Sequence, residues 1–413
     1  MRSRARLDAL ALAAVTGCLT GAGVALFEWV TREQLFDRVH RASEAVQVVA
    51  PVGALVLAAL VLRYVGRGAS PATADEYIHN FHQRDTPFDV RSVPARMLAS
   101  MATLGLGGAM GYEGPSIYLG AAVGSRLQAR LGRFFGQGDA KVLLVAGAAA
   151  GVAAIFKAPA TGLVFALEVP YQDDFARHML LPAGMAAATS YITFAALRGT
   201  EPLLAVRGTP HFDFHDLAGA LVLGVLCGVG ARVFTTALAM SKRAAARIHP
   251  LVRAVAAGGG LAALVAISYA AFGSGLTLGA GYDNVTWALD PKRAVGLVLL
   301  LFAMRALATV LTVAGGGAGG LFIPLVIEGA LLGRAVGGLF HSASSGSTLF
   351  PLIGVAAFLG AGYRVPLAAV VFTAEATGRP GFIVPGIIAA IVAQLFMGDA
   401  SASQYQEVGR FSV

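Results

Sequence analysis

The sequence predicts an all-α integral membrane protein whose helices are interrupted at several places. Its 413 residues are 56% hydrophobic and only 13% charged, whereas a soluble globular chain carries about 25% charged residues. Apolar segments recur along the whole chain, and about 20 apolar residues suffice for one helix to cross a bilayer. Glycines and prolines interrupt several segments, which is tolerated at membrane depth where the backbone lines a cavity or is buried in protein.

Taken in order, the apolar segments give the predicted helices. The first follows an arginine-rich start, and its length and missing cleavage site predict a retained span with a cytoplasmic N-terminus. Glycine-rich stretches at Gly105–Gly114 and Gly315–Gly320, and a short segment after Pro366, predict broken helices. The segments are residues 9–30, 45–65, 97–128, 141–169, 178–197, 216–240, 254–272, 294–313, 320–340, 349–361, 366–377 and 383–397.

Composition excludes several classes of function. The net charge of +8 comes from short basic clusters between apolar runs, which the positive-inside rule explains better than nucleic-acid binding. Cys18 and Cys227 lie in apolar stretches, so neither a disulfide framework nor a metal site is expected. No HExxH or GxSxG motif is present, so we expect no enzyme and no cofactor. The polar remainder is too short for a separate soluble regulatory domain.

An internal repeat organises the chain. The block GAAAGVAAIFKAPATGLVFALE at residues 147–168 aligns with GVAAFLGAGYRVPLAAVVFTAE at residues 354–375 through shared Gly, Pro, Phe and Glu positions. A second pair of blocks, residues 111–124 and 320–333, shares three glycines and a proline at nearly the same offset. Two blocks with nearly one offset predict a duplicated membrane domain.

The predicted repeats are residues 1–205 and 206–413. Duplicated membrane domains with matching helix breaks are typical of transporters that bind substrate near the midplane between repeats. The alternative is that the small residues, as at Gly107 and Gly111, only permit close helix packing.

Two motifs in matching places could form an anion site. GYEGPS spans Gly111–Ser116 and GGLFIP spans Gly319–Pro324. If helices begin near these motifs, their free backbone amides and positive dipole ends would attract an anion without a full positive charge. Partial charges would also let the anion leave, as turnover requires.

Glu113 is the residue that such a site should not contain. An ionised carboxylate in a membrane is costly, so it must be protonated, paired, or held by the amides that would hold the anion. A carboxylate that competes with the anion and leaves on protonation would be both a gate and a proton carrier. The alternative is an acid that merely stabilises its own helix N-terminus.

These motifs resemble those of the CLC family of chloride channels and chloride/proton antiporters. GYEGP is similar to its GxEGP motif, GGLFIP to its GxFxP motif, and the repeated blocks to its helix pairs. The resemblance extends over residues 10–400. It implies a CLC-like inverted-repeat fold with many tilted and broken helices, and a homodimer in lipid with one pore per subunit. It also implies an anion path built from helix N-termini.

The resemblance assigns the gate to Glu113. The family usually also has a GSGIP motif whose serine contacts the anion; this chain has SPATADEY in its place, where Thr73 or, alternatively, Ser70 would supply the hydroxyl. The alternative for that hydroxyl is a helix cap. The family's last tyrosine corresponds to Tyr405, unless Tyr405 is an ordinary tail residue. The anion-binding residues implied are Thr73, Gly111, Tyr112, Gly114, Leu321, Phe322 and Tyr405.

Proton-coupled members of the family have a second, inner glutamate for protons. The position that corresponds to it in this chain is occupied by Val169. Glu168 is adjacent, but its repeat mate is Glu375, which favours a shared structural role. The candidate inner proton or field residues are Glu168, Lys157 and Arg305, although Lys157 and Arg364 are equally well explained as loop anchors and Arg305 as half of an ion pair.

The function expected is transport of a small anion, chloride first, in exchange for protons. A passive chloride channel is the alternative that Val169 favours, and an exporter of fluoride or another small anion is the one that the missing GSGIP motif favours. The expected location is the bacterial inner membrane, with several spans and both termini in the cytoplasm.

Overall fold

The computed structural model describes residues 2–83, 87–131, 141–201, 203–204, 213–290, 292–340 and 348–408, with the backbone alone at 2–6 and 338–340. These ranges contain 17 α-helices and two isolated β-bridges, so the all-α prediction is confirmed. The helices are α1 (Arg2–Glu28), α2 (Asp37–His40), α3 (Glu44–Leu60), α4 (Ala74–His82), α5 (Val93–Gly105), α6 (Glu113–Leu131), α7 (Val142–Phe156), α8 (Pro159–Glu168), α9 (Leu180–Arg198), α10 (Phe214–Ala245), α11 (Pro250–Phe272), α12 (Tyr282–Ala288), α13 (Val295–Ala314), α14 (Phe322–Phe340), α15 (Leu349–Tyr363), α16 (Pro366–Thr377) and α17 (Ile383–Met397).

Seven helical segments in the described ranges are long and apolar enough to cross a membrane. A π-helical segment, Trp29–Phe36, continues α1, and another, Val61–Val65, continues α3. The seven segments are Leu7–His40, Glu44–Val65, Arg177–Arg198, Phe214–Ala245, Pro250–Phe272, Val295–Ala314 and Pro380–Met397. The chain is therefore a multi-pass membrane protein.

The predicted helix breaks are present in both halves. Between α7 and α8 the chain turns at Lys157, whose φ is +54°, and between α15 and α16 it turns at Arg364, whose φ is +56°. A proline follows two residues later in each case, and a helix rarely continues into the residue before a proline. The same break therefore occurs at repeat-paired positions.

Helix packing also recurs in the two halves. Helix α6 packs against α7 as α14 packs against α15, and α1 packs against α9 as α10 packs against α17. At the first contact, a Cβ added to Gly120 would lie 2.0 Å from the Gly147 carbonyl oxygen. In the second half, a Cβ on Gly329 would lie 2.3 Å from the Gly354 oxygen. For these four glycines, close backbone packing, the alternative considered above, is the role that the structure displays.

Helices α8 and α16 lie antiparallel, and each is capped by a carboxylate of the other. Glu168 at the end of α8 accepts hydrogen bonds from the amides of Leu367 (3.1 Å) and Ala368 (2.8 Å) at the start of α16. Glu375 near the end of α16 accepts from the amides of Ala160 (2.9 Å) and Thr161 (2.6 Å) at the start of α8. Four otherwise unpaired helix N-terminal amides are satisfied in this way.

Candidate anion pathway and its gate

The two predicted motifs meet at the starts of α6 and α14. Gly111 and Gly320 form an antiparallel bridge in which each amide donates to the other's carbonyl, at 2.9 and 2.8 Å. Glu113 is the first residue of α6 and Phe322 the first of α14. The bridge therefore brings two helix N-termini, one from each half of the chain, to one place.

Glu113 is buried at this junction, with 1% of its surface exposed. Its Oε1 accepts a hydrogen bond from the Phe322 amide at 2.6 Å, and its Oε2 has no hydrogen-bond partner among the described residues. A Cβ on Gly320 would lie 1.9 Å from Oε1, and one on Gly111 would lie 2.0 Å from Oε2. Glycine at both positions leaves the space that the carboxylate occupies.

The bond to Phe322 distinguishes two roles for Glu113. An acid that merely stabilised its own helix N-terminus would direct its carboxylate to the amides of α6. The Glu113 carboxylate interacts with its own amide at the start of α6, and it also accepts a hydrogen bond from the first amide of α14. A helix N-terminus is a ready anion site, so the Glu113 carboxylate occupies a position that could hold a free anion.

One cavity opens beside the gate and brings several predicted residues together. This Thr73 cavity has a volume of about 260 Å³, and its lining includes Thr73, Leu321 and Tyr405. Thr73 is buried, and its hydroxyl donates to the Gly319 carbonyl at 3.1 Å. Thr73 occupies the N-cap position of α4, but its side chain makes no capping hydrogen bond there.

Ser70, the alternative to Thr73, also lines the cavity but is occupied by other groups. Its hydroxyl donates to Glu76 at 3.4 Å and accepts from Arg96 at 3.1 Å. Arg96 in turn pairs with Glu76 at 2.8 Å. Both hydroxyls thus have protein partners, but Thr73 is buried beside the second motif, through its bond to Gly319, whereas Ser70 is exposed.

The sequence did not point to the charged groups of the Thr73 cavity. Asp75, Lys242 and Arg253 belong to its lining, as does Tyr363. Lys242 Nζ lies 3.6 Å from Asp75 Oδ2, and the Ser403 hydroxyl donates to Asp75 Oδ1 at 3.0 Å. The signal available was the SPATADEY segment itself, where Asp75 lies two residues after Thr73.

A second cavity lies on the Tyr112 side of the gate. This Tyr112 cavity has a volume of about 340 Å³ and is lined by Tyr112, Tyr282 and a ring of charged residues. The rings of Tyr112 and Tyr282 are stacked with centroids 6.5 Å apart. Arg198 pairs with Glu28 at 2.7 Å. Since Tyr112 precedes Glu113 and Leu321 precedes Phe322, the two cavities flank the Glu113–Phe322 contact.

The structure separates Lys157 from Glu168, two of the candidate inner proton or field residues. Lys157 lines the Tyr112 cavity, where its Nζ donates to the Glu201 carbonyl at 3.1 Å. The 10 residues of α8 lie between Lys157 and Glu168 and span about 15 Å. The two residues therefore lie at different depths, and their roles as inner proton or field residues stay predictions.

Glu168, Val169 and Arg305 have structural partners. Both oxygens of Glu168 cap α16, as described above, and Val169 is buried. Arg305 donates to the carbonyls of Gly279 and Ala280, both at 2.9 Å, and so holds the loop that leads into α12. An ion pair was predicted for Arg305 from the sequence, and the buried acid that interacts with it electrostatically is Glu328.

One acidic cluster lies apart from both cavities. Asp213, His215 and Asp216 hold potential metal-ligand atoms within 4.8 Å of one another. Asp213 accepts from the amides of His215 and Asp216, and Asp216 accepts from the Asp213 amide. This reciprocal capping of α10 explains the arrangement without an ion.

Sequence comparison identifies named relatives over nearly the whole chain. The chain is 29% identical over 416 residues to the H(+)/Cl(-) exchange transporter ClcA of Salmonella arizonae, covering 95% of this chain and 86% of the relative. It is 27% identical over 419 residues to ClcA of Yersinia pseudotuberculosis, covering 96% and 86%. These proteins are similar to this chain in length as well as in sequence.

Solved structures agree on the fold. A slow cyanobacterial Cl⁻/H⁺ antiporter superposes with a TM-score of 0.82 at 22% identity, over 94% of each chain. A CLC-type fluoride/proton antiporter superposes with a TM-score of 0.80 at 25% identity, over 98% of each chain. The predicted CLC-like inverted-repeat fold is confirmed. A sequence model of the voltage-gated chloride channel family matches residues 52–398. The chain therefore belongs to the voltage-gated chloride channel family, the CLC family that its two motifs indicated.

Proposed function

We propose that this protein exchanges a small anion, chloride first, for protons across a membrane, with Glu113 as the gate. The observation that carries the proposal is the Glu113 carboxylate bound to the Phe322 amide between two cavities. A group at this position blocks the path of an anion through the Thr73 cavity. The same group can bind a proton.

The exchange follows from competition for one amide site. While Glu113 is ionised, its carboxylate holds the Phe322 amide and excludes an anion. When a proton binds a carboxylate oxygen, Glu113 becomes neutral and its hydrogen bond to the amide weakens, because a charged acceptor binds more strongly than a neutral one. An anion then takes the amide, and Glu113 carries its proton to the other side before releasing it. Gly111, Tyr112, Gly114, Leu321 and Phe322 form the backbone of this site.

Two findings favour exchange over a passive channel. The similar proteins from Salmonella and Yersinia are named as exchange transporters, and the acid at the gate can itself carry a proton. The channel alternative rests on Val169, which cannot bind one. Fluoride is a second candidate anion, because the similar structure at 25% identity belongs to a fluoride/proton antiporter and the GSGIP motif is missing here.

We further propose that the Thr73 cavity faces the cytoplasm of a bacterial cell. Basic residues cluster on that side, in the connection from α10 to α11, where Lys242 and Arg253 line the cavity. Around the Tyr112 cavity, acids such as Glu28, Glu33 and Asp37 are more numerous than bases. Under the positive-inside rule the basic side is cytoplasmic. Helix α1 runs toward the Tyr112 cavity and Tyr405 lines the Thr73 cavity, so both termini would then be cytoplasmic.

We also propose two repeats, residues 1–205 and 206–413, in a homodimeric assembly with one pathway per subunit. The recurring helix pairs and the paired turns at Lys157 and Arg364 support the repeats. The boundary itself lies outside the described residues. The homodimer is what the family resemblance implies.

The decisive experiment is flux in proteoliposomes that contain the full-length protein. An imposed chloride gradient should drive protons uphill, and a proton gradient should drive chloride. Rapid chloride flux without uphill proton movement, at acidic and at neutral pH, would establish a passive channel instead. Replacing chloride by fluoride in the same vesicles ranks the two anions.

A further inference from the structure

We propose that Asp75 and Tyr363 form the proton entry to Glu113 from the Thr73 cavity, in place of an acid at position 169. The inference rests on the proposed exchange and assigns the residues that supply its protons. Val169 is a buried hydrocarbon, and the adjacent Glu168 has both oxygens engaged by the amides of α16. An acid that lines the Thr73 cavity itself is therefore the better candidate for the proton entry to Glu113.

Asp75 is an acid on the wall of the Thr73 cavity. It is the second residue of α4, and 18% of its side chain is exposed. It lines the cavity together with Thr73 and Leu321, the residue that precedes the gate's amide donor. A carboxylate at this position can take a proton from the cavity and is close to the anion route.

Tyr363 lies between that cavity and the gate. It is almost fully buried, yet it also belongs to the cavity lining. Its ring is packed 6.4 Å from the ring of Phe322, whose amide holds Glu113. Tyr363 interacts electrostatically with both Glu113 and Asp75, and its hydroxyl is within hydrogen-bond reach of the Leu321 amide. A hydroxyl both donates and accepts protons, so Tyr363 can connect the two acids.

The charges around Asp75 keep this acid compatible with an anion path. Lys242 on α10 faces it at 3.6 Å, and Arg253 on α11 lines the same cavity. Ser403 from the C-terminal segment donates to it. The neighbouring Glu76 is paired with Arg96. Asp75 is paired with Lys242, and Arg253 adds a second cation to the lining, so the cavity stays attractive to anions while Asp75 exchanges protons.

The proton transfer balances in two steps. A proton from solution in the cavity binds an oxygen of the Asp75 carboxylate. Tyr363 then accepts this proton on its hydroxyl oxygen, through the cavity that both residues line. Its own hydroxyl proton passes, through one intervening water, to Glu113 Oε2, the carboxylate oxygen that has no hydrogen-bond partner among the described residues. Tyr363 stays neutral, Asp75 regains its charge, and Glu113 becomes neutral and free to release the Phe322 amide.

The test compares proton and anion fluxes in proteoliposomes for Asp75→Asn and Tyr363→Phe. Each variant should lower the number of protons moved per anion at least about tenfold. This is less than the roughly 100-fold or larger rate effect that a positioned proton-transfer group typically has. Tyr363→Phe removes one oxygen atom from a packed ring, so it decides the question if Asp75→Asn fails to fold. Asp75→Glu should restore coupling in part.

Matched controls are Glu407→Gln and Tyr171→Phe, which remove an acid and a hydroxyl near Val169 but outside the Thr73 cavity. Glu407 lies 3.5 Å from His82, whose ring is 2.7 Å from the Pro170 carbonyl oxygen, so these controls also test the rival route. Wild-type coupling in both Asp75→Asn and Tyr363→Phe overturns the inference. If Glu407→Gln is uncoupled at the same time, the protons take the rival route near Val169. A wild-type protein that moves no protons uphill would instead refute the proposed exchange.

Discussion

The role of single residues is most sharply tested at Glu113. Glu113→Gln keeps the shape of the side chain and removes its charge, as protonation does. We expect anion flux to continue without its dependence on external pH and uphill proton movement to stop. The same proteoliposome assay on Glu44→Gln, which alters an exposed acid at the start of α3, should give wild-type coupling. Native proton pumping by Glu113→Gln would remove Glu113 from the gate.

Thr73 offers a second test at this scale. Thr73→Val keeps the branched shape and removes the hydroxyl that lines the Thr73 cavity. A hydrogen bond to a charged partner contributes about 1.5–3 kcal/mol, so chloride binding measured by calorimetry should weaken by roughly one to two orders of magnitude. Ser70→Ala is the control, since Ser70 is engaged by Glu76 and Arg96. An unchanged affinity in Thr73→Val would assign the anion to backbone amides alone.

The sequence located the residues whose position depends on a local motif. Glu113 and Phe322 could be assigned because a helix start fixes where its first amides point. Lys157 could not be placed, because the side of the membrane on which it lies depends on the orientation of a whole repeat. Asp75 and Tyr363 escaped attention because they are distant in the sequence and share a cavity only after α4 and α15 have packed.

Among the contacts between helices, the one between α6 and α7 leaves the least space for an added side-chain atom. A Cβ on Gly120 would lie 2.0 Å from a backbone oxygen of α7, which cannot move aside as a side chain can. Gly120→Ala should therefore lower the melting temperature of the detergent-solubilised protein. Gly53→Ala in α3 is the matched control, since nothing lies within 4 Å of its new Cβ. There the higher helix propensity of alanine, about 1 kcal/mol, should be neutral or stabilising. Equal melting temperatures for the two variants would contradict the close packing.

The crossed caps of α8 and α16 give a prediction about two elements at once. Glu375→Gln leaves one neutral acceptor where a carboxylate accepted two backbone amides. We expect a loss of about 1.5–3 kcal/mol of stability, the range for hydrogen bonds to a charged group, and a similar loss for Glu168→Gln. The proton-to-anion ratio should stay at its wild-type value in both. A loss of coupling confined to Glu168→Gln would return Glu168 to the proton pathway.

Helix positions were predictable from hydrophobic segments, and the helix ends mostly were not. The apolar segments at 97–128 and 141–169 each form two helices, and the breaks fall at glycines or at a residue near a proline. The short helix α12 could not be predicted, because its sequence contains no apolar segment. Its position depends on Arg305, which holds the preceding loop.

For the whole molecule, the proposed orientation can be measured directly. Val408 lies in the C-terminal segment on the Thr73 side and is exposed, whereas Arg41 is exposed after α2 on the opposite side. In a variant with both native cysteines replaced by alanine, Arg41→Cys should react with a membrane-impermeant maleimide added to intact spheroplasts. Val408→Cys should react only after lysis. The reverse pattern would invert the proposed topology and place the Thr73 cavity outside.

The hydrogen bond from Phe322 to Glu113 joins residues 209 positions apart, and this separation has a consequence for synthesis. At about 5–20 residues per second, the ribosome adds Phe322 roughly 10–40 s after Glu113. During that interval the carboxylate has entered the membrane protein without the amide that later binds it. The gate is thus completed only after α14 has been made, and a chain truncated after its first half would lack the Phe322 amide.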